Sequence, residues 1–183
     1  MARVVPELEA TIQALLDEGR AHEAATAAVR GYGPSVLGFL VGALKDRDVA
    51  KEVFSQACEN LWRNLAGFRR ECALGTWFYV LAWNAAKNHL NEAHRRHVRR
   101  LHTSEISQVA AAIRSTGVSH LRGTAARLRD SLTPEERTLL ILRIDRELPW
   151  KDVARVMELD EPALRKRYER IRRKLQQRVE EEA

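Results

Sequence analysis

Between Thr133 and Leu175 the chain is punctuated so closely that three short helices in succession are the natural way to fold it. Thr133, Pro134 and Glu136 are an N-cap hydroxyl, a first-turn proline and a capping-box carboxylate, so a helix starts there. Leu139, Leu140, Leu142 and Ile144 supply its apolar side, and Glu147, Leu148 and Pro149 interrupt the pattern before Trp150 opens a second helix. Val153, Ala154 and Met157 face inward in that helix, Leu159 makes the turn, and Asp160 caps a third helix. There Leu164, Tyr168, Ile171 and Leu175 recur at helical spacing and form one buried stripe. The remaining faces carry Arg165, Lys166, Arg167, Arg170, Arg172, Arg173 and Lys174, opposed only by Glu161 and Glu169. This is the pattern of a helix-turn-helix, whose last helix lies in the major groove with early residues at base edges and other cations on phosphates.

No sustained alternation of apolar and polar residues appears anywhere, and nine glycines and five prolines are few for 183 residues, so the expected class is all-α. The length suits two small helical domains joined by a linker, each with a modest core. A formal charge of +6 and a pI near 9.7 fit a polyanionic partner. The cations fall in two clusters, Lys87 to Arg100 and Arg165 to Arg173, not along one membrane-lying helix, so no membrane partner is expected. The most apolar segment, Val36 to Leu44, is too short to span a bilayer, and the start of the chain has no charged lead into an apolar run, so the expected location is cytoplasmic. Cys58 and Cys72 have no metal spacing and are expected as thiols. His89, His94 and His97 lie among arginines that repel a cation, so no metal or other cofactor is expected. No cluster of acid, base or nucleophile marks a catalytic centre, and an enzyme is not expected.

Along the chain, Val4 to Leu16 reads as an amphipathic helix and His22 to Arg30 as a second, broken by the cluster Gly31 to Pro34. A further helix starts at Val36, and Asp46 to Leu65 is a long one with Val49, Val53, Ala57, Leu61 and Leu65 on one face. A loop from Ala66 to Gly75 precedes a helix that Thr76 caps, running through Trp77, Val80, Leu81 and Asn84 into basic sequence. The pattern weakens from Leu101 to about Gly123, where Ser, Thr and Gly accumulate. The expected domains are therefore 1–100 and 124–183, with 101–123 as linker.

The order of these parts resembles the extracytoplasmic-function sigma factors, small members of the sigma-70 family built from region 2, a linker and region 4. In the first half the resemblance rests on Ala50 to Gln56, Trp62, Phe68, Arg69, Thr76, Trp77, Leu81, Ala82 and Asn84. In the second it rests on Leu132 to Glu135, Trp150, Asp152, Val153, Ala154, Leu164, Arg170 and Leu175. The resemblance implies a non-enzymatic protein that binds core RNA polymerase and directs it to particular promoters. It places Glu52, Ser55, Gln56 and Glu59 on the polymerase, and Arg69, Arg70, Asn84, Lys87, Asn88 and Arg95 at the minus-ten element. Arg165, Lys166, Glu169, Arg170 and Arg173 fall at the minus-thirty-five element. The loop Arg70 to Gly75 corresponds to the segment that receives an extruded minus-ten base. Strand separation needs a surface for unstacked bases, and Trp77, Phe78, Tyr79 and Trp83 are the nearby aromatics, at least two of them expected in the core and Trp77 before the others.

The chain also departs from the family pattern. Where relatives often carry several acids toward the polymerase, this one has Lys51, Glu52, Ser55 and Gln56, and a phosphate on Ser55 from a serine/threonine kinase would restore charge there. Glu158 stands where a turn glycine is frequent, and Ala163 where a small hydroxyl residue is. The first helix reads either as an added element or as the start of region 2. An anti-sigma factor is a further partner the resemblance implies. The competing reading is a conventional helix-turn-helix transcription regulator whose N-terminal half is a dimerisation or sensor bundle.

Overall fold

The computed structural model describes residues 5–101 and 132–181, and among these are seven α-helices and no strand. They are α1 (Pro6–Asp17), α2 (Ala21–Leu44), α3 (Arg47–Asn64), α4 (Leu74–Leu101), α5 (Pro134–Leu140), α6 (Trp150–Met157) and α7 (Glu161–Glu181). A 3₁₀ turn, Leu65–Gly67, follows α3, and a π-helical turn, Ile141–Asp145, continues α5. The expected linker, 101–123, lies outside the described residues except for Leu101, which ends α4.

The first half is built on α2, α3 and α4. Asp46 caps α3, its Oδ1 accepting from Asp48 N at 2.9 Å and Val49 N at 3.0 Å. Ala50, Val53, Ala57 and Leu61 then recur every three or four residues on the buried side. The break expected at Gly31 to Pro34 does not occur: α2 runs unbroken for 24 residues with Pro34 inside it. An interior proline costs about 3 kcal/mol, but the same helix buries Tyr32, Val36, Phe39 and Leu40, each fully buried apolar side chain contributing roughly 1.5 to 3 kcal/mol. Gly31 lies close to α1, where a Cβ would meet the Leu8 side chain. A helix this long and apolar could cross a membrane by length and composition, unlike the shorter segment expected from the sequence, but here it packs against α1, α3, α4 and α5. Phe39 packs edge-on against Tyr79 and Trp83 of α4, with ring centroids 5.5 and 6.4 Å away.

In the second half the capping box forms as expected: Thr133 Oγ1 accepts from Glu136 N, and the Glu136 carboxylate accepts from Thr133 N. Leu132, Thr138, Leu139, Leu142, Leu148, Val153, Val156, Met157, Leu164 and Ile171 are its buried residues among those described. Ile144 is not among them. The π turn advances less than 100° per residue, so Ile144 falls off the apolar stripe and is 54% exposed. Asp160 begins α7, its Oδ2 accepting from Ala163 N at 3.2 Å.

The second half is seated on the first. Gly38 and Gly42 open a groove on α2 into which the π turn fits: Cβ atoms there would fall 2.9 Å from Arg146 Nη2 and 2.7 Å from Ile141 Cδ1. Arg137 donates from Nε to Ala43 O, near the C-terminus of α2, at 3.1 Å. Helix α6 lies against α4.

Candidate nucleic-acid interface

Arg165, Lys166, Glu169, Arg170 and Arg173 are all exposed, and their spacing puts them on one side of α7 away from Leu164 and Ile171. Arg165 is held in place: its guanidinium lies 4.9 Å from the centre of the Trp150 ring and donates to Glu161 Oε2 at 3.3 Å. Lys166, Arg170 and Arg173 make no ion pair among the described residues, which leaves their charge for phosphate.

The α4 face is in a different state. Lys87 Nζ donates to Glu158 Oε2, at the C-terminus of α6, at 2.8 Å. That bond, aided by one from Asn84, holds the Glu158 carboxyl below the ordinary range. Glu158 sits at φ 55°, the left-handed corner where a glycine is favoured, so the turn keeps that conformation with a non-glycine residue in place. Asn84 is half-buried; its amide interacts with the Glu158 carboxylate, while its Oδ1 finds no partner. Asn88 and Arg95 are exposed on the same helix.

Two expectations about the start of α4 are corrected. Thr76 is not its cap: the helix begins at Leu74, and Thr76 is fully buried within the first turn. Glu9 of α1 does the capping, accepting from Leu74 N at 3.0 Å and Gly75 N at 2.9 Å. The aromatics also divide differently. Phe78, Tyr79 and Trp83 are core, whereas Trp77 is only half-buried at the core's edge and stacks on Phe68 with centroids 4.9 Å apart. These two rings, with Gly67, Arg69, Glu71, Cys72 and Arg155, line a cleft of about 250 Å³. Arg69 is exposed at its rim, and Arg70 pairs with Asp17 Oδ1 of α1 at 2.6 Å. Arg155 of α6 reaches over to Glu71, donating to its Oε2 and its backbone O at 3.2 Å. Burial pushes the Cys58 and Cys72 thiols up, so both stay protonated near neutral pH.

On α3, Glu52, Ser55, Gln56 and Glu59 are all exposed and share one outer face. Lys51 is engaged by Asp48 at 3.0 Å, and Gln56 donates to Glu59 Oε2 at 3.3 Å and to Asn60 Oδ1 at 3.2 Å. Ser55 Oγ donates to Lys51 O at 3.0 Å. Trp62 extends this face, 57% exposed with its ring 5.2 Å from His22. Sequence reasoning placed no function on Trp62. The signal was its position directly after Leu61, which the buried stripe turns inward.

Known proteins are similar to this chain in sequence and in fold. Residues 28–97 match the family described as Sigma-70 region 2. The chain is 29% identical over 151 residues to the RNA polymerase sigma-H factor of Pseudomonas aeruginosa, covering 77% of this chain and 78% of that one. It is 23% identical over 170 residues to the ECF RNA polymerase sigma-E factor of Haemophilus influenzae, covering 83% and 85%. Among solved structures it is similar in fold to the sigma factor RpoE from Bartonella quintana, crystallised with the anti-sigma factor NepR. The TM-score is 0.65 at 15% identity, over 83% of this chain and 94% of that one.

Proposed function

We propose that this chain, a member of the sigma-70 family of the extracytoplasmic-function type, acts as an alternative sigma factor that binds core RNA polymerase and directs promoter-specific initiation. The observation that carries this reading is the match to region 2 over residues 28–97, followed in the same chain by a capped helix-turn-helix with an exposed basic helix. Residues 1–100 are assigned to polymerase and the minus-ten element, and 124–183 to the minus-thirty-five element. The work is recognition, not catalysis, and its place is the cytoplasm, where the polymerase and promoters are.

Within this reading the outer face of α3, Glu52, Ser55, Gln56 and Glu59, meets the polymerase. Arg69, Asn84, Lys87, Asn88 and Arg95 serve the minus-ten element, with Arg70 shaping the loop from its place on Asp17. The Phe68 and Trp77 cleft receives an unstacked base, since a base needs an aromatic surface to replace its neighbours and nearby cations hold the backbone. Arg165, Lys166, Glu169, Arg170 and Arg173 read the minus-thirty-five element. An anti-sigma factor is a further expected partner. Start-site-specific transcription by purified core polymerase, on a promoter recovered by selecting random duplexes, tests the whole. A conventional helix-turn-helix regulator would bind DNA by itself and start no transcript.

Ser55 offers a second point of control, because a phosphate there would add roughly 1.5 to 2 negative charges to an exposed face. Ser55→Glu is expected to bind core polymerase more tightly than Ser55→Ala. Equal affinities, with no phosphate on the native protein by mass spectrometry, would make Ser55 ordinary surface.

A further inference from the structure

Helix α1 precedes the region-2 match, which begins at residue 28, yet it touches both ends of the base-receiving loop. At the far end Glu9 is the acceptor for three donors: Oε1 takes Tyr32 OH at 2.8 Å and Gly75 N at 2.9 Å, and Oε2 takes Leu74 N at 3.0 Å. The first N–H groups of a helix have no partner within it. Here the preceding residue is Ala73, which has no acceptor side chain, and the Thr76 hydroxyl is directed at the Asp152 carboxylate of α6, not at these amides. A carboxylate from 65 residues away therefore supplies the cap and also complements the positive end of the α4 dipole. Burial, then the bond to Glu9, push the Tyr32 hydroxyl up, so it remains a donor at any physiological pH.

At the near end Asp17 closes α1 and pairs with Arg70, at 2.6 Å. Arg70 is the loop's left-handed corner, at φ 55°, a conformation that costs a non-glycine residue roughly 1 to 2 kcal/mol. Glu9 and Asp17 are eight positions apart on one helix, roughly 12 Å along its axis. The loop is thus fixed at its corner and at its exit by one rigid element, while Arg69 just before the corner is exposed and Trp77 just after the exit is half-buried beside the cleft.

We propose that α1 is a positioning strut for the minus-ten base cleft, with Glu9 as its positioning residue and Asp17 as its second anchor. This rests on the reading of the Phe68 and Trp77 cleft as the place of an extruded base. Without Glu9 the α4 N-terminus loses its cap, the exit of the loop loosens, and Trp77 in the first turn of α4 no longer holds its angle to Phe68.

The test uses the full chain reconstituted with core polymerase, and minus-ten non-template strands from a selected promoter with a single abasic site moved along them. The wild-type holoenzyme should lose about tenfold in affinity at one abasic position, the scale of one base–aromatic stack. Glu9→Ala should reduce that loss to about threefold or less, while binding a minus-thirty-five duplex within about twofold of wild type. Glu9→Gln and Asp17→Asn, each of which keeps an acceptor oxygen, should give intermediate losses and decide the matter if Glu9→Ala does not fold. An unchanged abasic penalty in all variants that fold overturns the strut. So does a parallel fall of melting temperature and of both affinities, since Glu9 would then only hold the fold together. A wild type with no sensitive position refutes the cleft reading itself, and the strut with it.

Discussion

Helices α4 and α7 both carry cations, but Lys87 and Asn84 of α4 are engaged by α6, whereas the outer face of α7 is open to solvent. Lys87 and Asn84 are turned onto Glu158 of α6, and Arg155 of the same helix spans Glu71 at the cleft. Arg165, Lys166, Arg170 and Arg173 face solvent, with Arg165 steadied by Trp150 and a partner on its own helix. Composition does not separate the two faces; accessibility does. On the proposed reading, a duplex can meet α7 as it stands, whereas a minus-ten strand that engages Lys87 must compete with Glu158 for it.

The sharpest way to probe the open face is to remove Arg165 and Lys166 together. Each lost base contact is expected to cost about 1 to 3 kcal/mol of promoter discrimination, measured as competition between the selected promoter and single-base variants. Undiminished discrimination would show that α7 reads nothing through them. For the closed face, Gly42→Leu drives a side chain into Ile141. Overpacking of this kind costs about 1 to 3 kcal/mol, and energy transfer between labels on α3 and α7 in the free chain should fall. An unaltered distance would mean the groove does not hold the halves together.

Alanine at Asn84, Lys87 and Asn88 should leave closed complexes intact while abolishing permanganate reactivity of unpaired thymines at the minus-ten element. Wild-type reactivity would remove α4 from strand separation. Arg173→Ala, by contrast, should weaken all sequences alike and lower the slope of log affinity against log salt by about one.

The smallest effect is expected from Glu158→Gln. The depressed Glu158 carboxyl contributes to closure above its ordinary value of 4.5, and that contribution is lost as pH falls through the lower folded-state value. Asp152 on the same helix is raised, burial first among the causes, so acidification relieves it and partly offsets the loss. The Glu158 to Lys87 pair is more than half exposed on the acid's side, and such pairs contribute about 0 to 1 kcal/mol. The Gln variant should therefore melt slightly below wild type at pH 7 and converge with it once the pH falls below the depressed Glu158 value. A difference that persists at low pH would point to something other than this charge.

What the sequence made legible was local. Thr133, Pro134 and Glu136 act within one turn of each other, and the Asp46 cap and the α3 stripe likewise depend on neighbours three and four residues away. Apart from Ile144, which the local π turn displaces, the misreadings turn on distant partners. Thr76 looked like a cap because Glu9, the real one, is 65 residues upstream of the first amide it serves. Pro34 looked like a break because the burial that outweighs it comes from α3 and α4. Trp77 looked more internal than Trp83, yet only the fold shows that its neighbour is the loop residue Phe68. The candidate DNA residues on α7 are where their spacing put them, but the engagement of Lys87 by Glu158 joins residues 71 positions apart, which no periodicity reveals.

The π turn at Ile141–Asp145 sets the hand-off to the rest of the helix-turn-helix. A π turn holds one residue more than an α turn of the same reach. It is thus the place where the chain could lose a single residue and still close its ladder of hydrogen bonds. The cost of that deletion would be angular: each residue of an α-helix turns the path by about 100°, so the segment that follows would depart in another direction. Ile141 and Arg146 could not then both meet α2, and lineages that shortened this segment by one would have to carry a differently shaped groove at positions 38 and 42.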